Sequence, residues 1–279
     1  VPLFPAHDSA DVWAHRDYFQ LDAGGQPIVL AGVPPDRFSA TGQRWGNPVY
    51  DWRRLVEDGF RWWIDRMRTE LQLFDFLRLD HFRGLQAVWE IPATDPTAQF
   101  GQWRPAPGRE LLNALQSGLG SIPLIAEDLG LITPEVHALR LGTGVPGMKV
   151  LQFAFDSDST NPYLPHNHEV DFVVYTGTHD NNTTLGWYKD LDPGGRTRVL
   201  EYLGNPQEPM PWPLIRAALA SVCKTALVPM QDVLALDAAD RINTPGTLNV
   251  NWRWRLNWDL VTGELAARLR DLNSLYGRL

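Results

Sequence analysis

The sequence predicts an α/β fold, a parallel (β/α)8 barrel of which about six strands lie in this chain. Three observations carry that prediction. Short apolar runs of strand length alternate with longer stretches of helical period, the rhythm of βα units around a parallel sheet. Three of the segments that begin as apolar runs reach a carboxylate: FDFLRLDHFRG holds Asp80, SIPLIAEDLG holds Glu127 and DFVVYTGTHDNNT holds Asp180. The carboxyl ends of barrel strands all open onto one face, where side chains from different strands can meet. Finally, 279 residues, 44% of them hydrophobic, are enough to bury the core of one barrel-sized domain.

The elements follow in order. Residues 1–5 form the first apolar run. Residues 32–52, GVPPDRFSATGQRWGNPVYDW, are rich in Gly and Pro and have no helical or strand period. A loop of that length in a compact domain is usually functional or disordered, and its aromatics and amides argue against disorder. It is expected to be an active-site lid. Residues 52–71 place Phe60, Trp63, Ile64, Met67 and Leu71 on one helical stripe. The next strands are expected at 73–79 and 122–126. Thr133-Pro134-Glu135 then gives a helix an N-cap and a proline in its first turn, and Gly142 and Gly144 stop it. Strands at 148–155 and 172–177 lead to a helix over 213–223 and a last strand at 226–230. That makes six strands, two short of a closed barrel. The missing pair is expected to precede Val1, since the chain starts on Val rather than Met and runs straight into an apolar stretch. A barrel without two strands exposes parallel edges. The amino-terminal remainder of the same protein is therefore an expected partner, and the chain alone is expected to be poorly soluble and inactive.

Bulk properties narrow the function. A net charge of −8 without a basic stripe excludes a polyanion as the main partner, and a neutral ligand or a cation fits better. Twelve Trp and seven Tyr are many. Trp62 and Trp63 belong to an expected core helix, whereas Trp45 and Trp103 fall in polar loops, where a flat face suits a sugar ring. The single cysteine, Cys223, continues an apolar pattern of Ile215, Leu219 and Val222 and reads as a buried thiol in a reducing cytoplasm. No run of 18 apolar residues and no basic leader occurs, so neither a membrane span nor a secretion signal is predicted.

The three acids suit glycosidic bond chemistry, which uses a nucleophile and a proton donor. Arg78 and Asp80 are two apart on a strand and point to the same side. A guanidinium beside an acid keeps it ionised, as a nucleophile requires. The alternative is a structural ion pair. Glu127 follows Leu124-Ile125-Ala126, whose apolar walls would raise its proton affinity. Here the alternative is a helix cap formed by Glu127-Asp128. Thr178-His179-Asp180-Asn181-Asn182 is the third cluster, with a helix cap again the alternative. Asp232, after the last strand, reads as structural. A rival reading takes His7-Asp8, Asp80-His81 and His179-Asp180 as ligands of a divalent metal. The dipeptides run in mixed order and lack the short local spacing of metal-binding histidines, so no metal and no cofactor is expected.

Together AHDSADVWAH, AGVPPDRFSATGQRWGNPVYDW, LRLDHFRG, LIAEDLG, PGMKVLQFAF, TGTHDNNTT and VPMQDVLALDAADRINTPGTLNVNWRWR resemble the amylomaltases, the 4-alpha-glucanotransferases of the α-amylase clan. The resemblance implies a catalytic barrel of which this chain is the carboxyl-terminal portion. It implies Asp80 as nucleophile, Glu127 as general acid/base and Asp180 as transition-state stabiliser, with Arg78, His81 and His179 beside them. It also implies a lid over the cleft, carrying Asp36, Gln43, Trp45 and Asn47 as sugar contacts. The substrates implied are alpha-1,4-glucans (maltose, maltotriose, maltodextrins), with glucose or another glucan as acceptor. The alternatives are an amylase-like hydrolase or an inactive glucan-binding fragment. Two positions depart from the family pattern: Arg37 stands where an aromatic is usual, and Pro5 where the strand usually continues.

Overall fold

Apolar runs become strands in this protein only where a neighbouring strand pairs with them, and several are shorter than their sequence suggests. The computed structural model describes residues 1–36, 39–121, 123–130 and 132–279. They divide into two compact units, Val1–Gly147 and Met148–Leu279.

The first unit begins with α1 (Ala10–Ala14), whose N-cap Ser9 accepts a hydrogen bond from the Val12 N–H. Two strands follow, β1 (Val29–Val33) and β2 (Gln43–Pro48), then α2 (Trp52–Glu57) and α3 (Arg61–Glu70). After these come β3 (Leu77–Leu79), β4 (Ala87–Pro92), β5 (Gln102–Pro105), α4 (Gly108–Leu119), β6 (Leu124–Ala126) and α5 (Pro134–Thr143). Strands β3 and β6 pair in parallel, with Leu77 opposite Leu124 and Leu79 opposite Ala126. The order β2-β1-β4-β5 makes a separate antiparallel sheet. One core joins α3 and α4 to the parallel strands: Trp63, Leu79, Phe82, Leu111, Leu112 and Leu115 are all buried.

Several expectations change here. The lid segment is not aperiodic throughout, because Gln43–Pro48 is the edge strand β2. An edge strand in water carries no apolar alternation, which is why QRWGNP does not read as one. For the same reason Trp45 and Trp103 lie on strands rather than in loops. The helix expected over 52–71 is two helices. Gly59 and Phe60 both take left-handed conformations (φ 63° and 56°), which end the first and start the second, and Phe60 stays buried against the core. Residues 1–5 are not a strand. Val1 alone makes a rung beside β3, donating from its nitrogen to the Arg78 carbonyl (2.6 Å) and accepting from the Asp80 N–H (2.9 Å). Pro5 comes after that rung, where the absence of its N–H costs nothing. Arg37 lies outside the described residues, as does Ile122, so the strand expected at 122–126 is seen as Leu124–Ala126.

The second unit contains β7 (Gly147–Val150, spanning the boundary), β8 (Phe172–Tyr175), α6 (Thr184–Asp190), α7 (Pro193–Tyr202), α8 (Trp212–Ala220), β9 (Thr225–Leu227), α9 (Met230–Val233) and α10 (Gly263–Leu275). The sheet order is β7-β8-β9, and β8 and β9 are parallel. Leu151, Phe172, Val174, Val199 and Leu214 pack one core, and Trp212, Ile215, Leu219 and Leu272 a second. The run 148–155 is a strand only to Val150 and then turns into a 3-10 helix. The helix expected over 213–223 stops at Ala220, because Ser221 is extended and the Arg278 guanidinium donates to the carbonyls of Leu219, Ser221 and Cys223. Cys223 is buried as expected, but Val222 is exposed and does not continue the apolar stripe. Among the described residues no helix is long and apolar enough to cross a membrane.

Candidate active site

Asp80 and Glu127 each follow the last residue of a strand, and those strands, β3 and β6, are hydrogen-bonded neighbours. The pairing brings the two acids onto adjacent strand ends. Arg78, one residue inside β3, holds its Nη1 2.5 Å from Asp80 Oδ1. About half of the Asp80 side chain remains accessible, so the carboxylate is paired yet open to a ligand.

Glu127 is fixed more tightly. Its N–H donates to the Leu79 carbonyl (3.0 Å), and its own carbonyl accepts from the Phe82 N–H (3.1 Å). The carboxyl accepts twice from the main chain, at Oε2 from the His81 N–H (2.7 Å) and at Oε1 from the Leu129 N–H (3.1 Å). Burial raises its pKa to about 7, the Asp80 charge adds to the rise, and the His81 N–H, Arg78 and the Leu129 N–H partly oppose it. A carboxyl in that range can hand over a proton and take one back near neutrality. Asp128 does not form a cap. Its Oδ2 lies 3.3 Å from Arg140 Nε, both side chains buried.

His81 adopts a left-handed backbone (φ 54°, ψ 49°), and that turn aims its N–H at Glu127. Burial lowers the imidazole pKa to about 4, so the ring is neutral at neutral pH, and Nε2 has no hydrogen-bond partner among the described residues. The Trp45 ring meets it edge-on, with centroids 4.7 Å apart and planes at 89°. Trp45 Nε1 in turn donates to Gln43 Oε1 at 3.1 Å. Two other expected sugar contacts also have structural duties. Asn47 Nδ2 donates to the carbonyls of Phe4 and Pro5, and Asp36 Oδ1 accepts from the Ser39 N–H.

In the second unit, Asp180 stands in the segment that leaves β8. The cap reading of this cluster does not hold for Asp180, because Thr183 caps α6 by accepting from the Gly186 N–H. Asp180 Oδ1 accepts from Asn243 Nδ2 (2.5 Å), Oδ2 lies 3.1 Å from His179 Nε2, and its carbonyl accepts from Arg241 Nη2 (2.5 Å). The His179 ring lies 5.2 Å from the exposed Trp252 ring. Asp232 is structural, as its sequence position suggests. It is buried and accepts from the Thr176 hydroxyl and from both the N–H and the hydroxyl of Thr184, while burial pushes its pKa up.

Sequence reasoning missed Arg241 and Asn243 as partners of Asp180, and Trp252 as a ring neighbour of His179. They lie in the aperiodic stretch RINTPGTLNVNWRW, whose only signal is its resemblance to a known motif. The main-chain donors to Glu127 leave no trace in the sequence at all. Among the described residues no three His, Cys, Asp or Glu side chains gather as a metal site would need.

A family profile described as 4-alpha-glucanotransferase matches residues 1–261. The chain is 51% identical to a 4-alpha-glucanotransferase of Thermus thermophilus, covering all of this chain and 57% of that protein. It is 46% identical to a 4-alpha-glucanotransferase of Arabidopsis thaliana, named as chloroplastic/amyloplastic, with all of this chain and 49% of that protein covered. Among solved structures, the amylomaltase from Streptococcus agalactiae in complex with acarbose superposes with a TM-score of 0.96 at 39% identity, over all of this chain and 57% of that one. The chain spans about half the length of the curated relatives it matches.

Proposed function

We propose, because this chain belongs to the 4-alpha-glucanotransferase family, that its acids carry a retaining transfer of alpha-1,4-glucan segments. Asp80 attacks the anomeric carbon while Glu127 protonates the departing oxygen, and a covalent glycosyl-enzyme forms. Glu127, now ionised, takes the proton from the 4-hydroxyl of glucose or another glucan, which displaces Asp80 and restores the original configuration. Asp180, held by Asn243 and His179, is assigned to stabilising the charge that develops on the sugar. The observation that carries this reading is the contrast between the two strand-end acids. Glu127 is buried with a pKa near neutrality, whereas Asp80 is open and paired with Arg78.

Transfer, rather than hydrolysis, requires an acceptor sugar to reach the intermediate before water does. The segment 36–47, with Trp45 as a stacking face, is assigned to holding that acceptor and limiting water. The donors are maltose, maltotriose and longer maltodextrins, and the acarbose in the related amylomaltase supports a carbohydrate ligand. The parallel βα units are read as parts of a (β/α)8 barrel, and a reducing cytoplasm is the setting we infer, since the one cysteine can form no internal disulfide.

The test is chemical. Glu127→Gln protein given an alpha-maltosyl fluoride, whose fluoride leaves without a proton, should accumulate a glycosyl ester on Asp80 visible by mass spectrometry. With maltotriose, this chain joined to its amino-terminal remainder should produce glucose and a ladder of longer glucans. Labelling at another residue would remove Asp80 from its role, and short sugars without a ladder would make the protein a hydrolase.

A further inference from the structure

The antiparallel pairing of β1 and β2 slips at one place. Leu30 faces Pro48 and Gly32 faces Arg44, so Trp45, Gly46 and Asn47 together stand opposite Ala31. This is a bulge, and Gly46 supplies the left-handed residue it needs (φ 84°). Bulges re-aim side chains. Here the strand carries the Trp45 ring against His81, in the edge-on contact described above. On another side the His81 ring has little room: a Cβ at position 84 would stand 2.9 Å from His81 Cδ2. The ring makes no hydrogen bond through Nε2, so packing is what holds it there. Its backbone sits in a conformation that non-glycine residues adopt at a cost, and such strain persists only where the surroundings enforce it.

We propose that Trp45 is a positioning residue for the proton donor: seated edge-on against His81, it holds that residue's left-handed backbone and so keeps the His81 N–H on Glu127 Oε2. This rests on the reading of Glu127 as the general acid/base. The hydrogen bond favours the ionised carboxylate and is among the influences that keep Glu127 from titrating still higher. The other charged groups are few and come from known elements. Arg78 on β3 and Asp80 just after it act on Glu127, Asp80 and Arg83 act on His81, and the Val1 amino group lies on the Arg78 carbonyl. Asp128 is paired with Arg140. On β2, Gln43 and Trp45 are neutral, and Arg44 donates away from the site, to the Ala93 carbonyl. Removing the indole therefore deletes no charge, and since any added hydration would lower the Glu127 titration, a rise has to come through loss of the His81 N–H.

The experiment follows the Glu127 carboxyl by 13C NMR in the whole protein, together with the pH profile of kcat/KM on maltotriose. Trp45→Ala should move the Glu127 midpoint up by about one unit, the scale of losing one hydrogen bond to a carboxylate. The basic limb of the profile should follow it. Trp45→Phe keeps an aromatic against His81 and should leave both near the native position. If Trp45→Ala does not fold, Trp45→Leu, which keeps bulk but not the ring, carries the same expectation. A rise in KM with the midpoint and the limb unmoved would overturn the proposal and leave Trp45 as a sugar platform only. If the native protein transfers no glucan, the catalytic reading fails, while the NMR midpoint still decides the role of Trp45.

Discussion

At the scale of single residues, the unusual group is Glu127, whose pKa of about 7 exceeds the ordinary 4.5 chiefly because burial penalises its charge. Between those two values the folded protein keeps a proton that the unfolded chain has already released. Stability is therefore highest at the acid end of this window and falls as pH rises from about 4.5 to 7, levelling off above. Glu127→Gln removes the titration. Its stability relative to the native protein should improve by on the order of 3 kcal/mol between pH 5 and pH 8, as read from urea unfolding at the two pH values. An unchanged difference would mean that the carboxyl is better hydrated than its burial implies. The burial that costs stability above pH 7 also lets the carboxyl keep a proton near neutrality, which the proposed donor role requires.

At the scale of elements, the hairpin of β1 and β2 determines where Trp45 points, and Gly32 is one of the glycines that let the hairpin close. A Cβ on Gly32 would stand 2.1 Å from the Gln43 carbonyl oxygen and 2.6 Å from Ile91 Cδ1. No side-chain rotation relieves the first of these, because the obstacle is backbone. Gly32→Ala should cost about 1–3 kcal/mol through overpacking. Faster amide exchange should be confined largely to Val29–Val33 and Gln43–Pro48, with the parallel pair of β3 and β6 protected as before. Loss of protection in β3 and β6 to the same degree would show that the hairpin and the parallel strands open as one cooperative element. The two short parallel strands have a different support, the buried side chains of α3 and α4 and the rung at Val1.

At the scale of the whole molecule, charge and substrate are matched by indifference. The protein carries a net charge of −8, and the glucan proposed for it carries none. Long-range steering has nothing to act on, and the ion pair at the site, Arg78 with Asp80, is short-ranged. Raising the salt from about 0.02 to 0.5 M should therefore change kcat/KM on maltotriose by less than about twofold. Exhaustive dialysis against a chelator should leave the rate intact, because the proposed steps are proton transfers and displacements at carbon, performed by carboxyl groups. A steep salt dependence, or activity lost to the chelator and restored by a divalent cation, would return the His/Asp pairs to consideration as ligands.

The positions of the three acids and of most strands in the parallel sheets can be read from the residues alone. Asp80, Glu127 and Asp180 were legible because each comes at or just beyond the end of an apolar run, and solvation forces a carboxylate out of a buried strand wherever the chain emerges. The cap at Thr133-Pro134 and the burial of Cys223 were legible for local reasons of the same kind, although the Thr133 side chain itself makes no capping hydrogen bond. The antiparallel sheet was not legible. Its edge strand β2 is polar and its order comes from hydrogen bonds to β1, a partner that no local pattern announces. Nor was the break in the helix over 52–71, where Gly59 and Phe60 turn left-handed with Phe60 buried in the core. The resemblance implies Glu127 as the acid/base, and the fold supplies the physical contrast in proton affinity that this assignment needs. Both acids end apolar runs, but one emerges beside the Arg78 guanidinium with about half of its side chain accessible. The other is enclosed, receives two main-chain hydrogen bonds and feels its neighbour's charge. Proton affinity depends on dielectric and on charges brought together in space, and neither is a property of the residues along the chain.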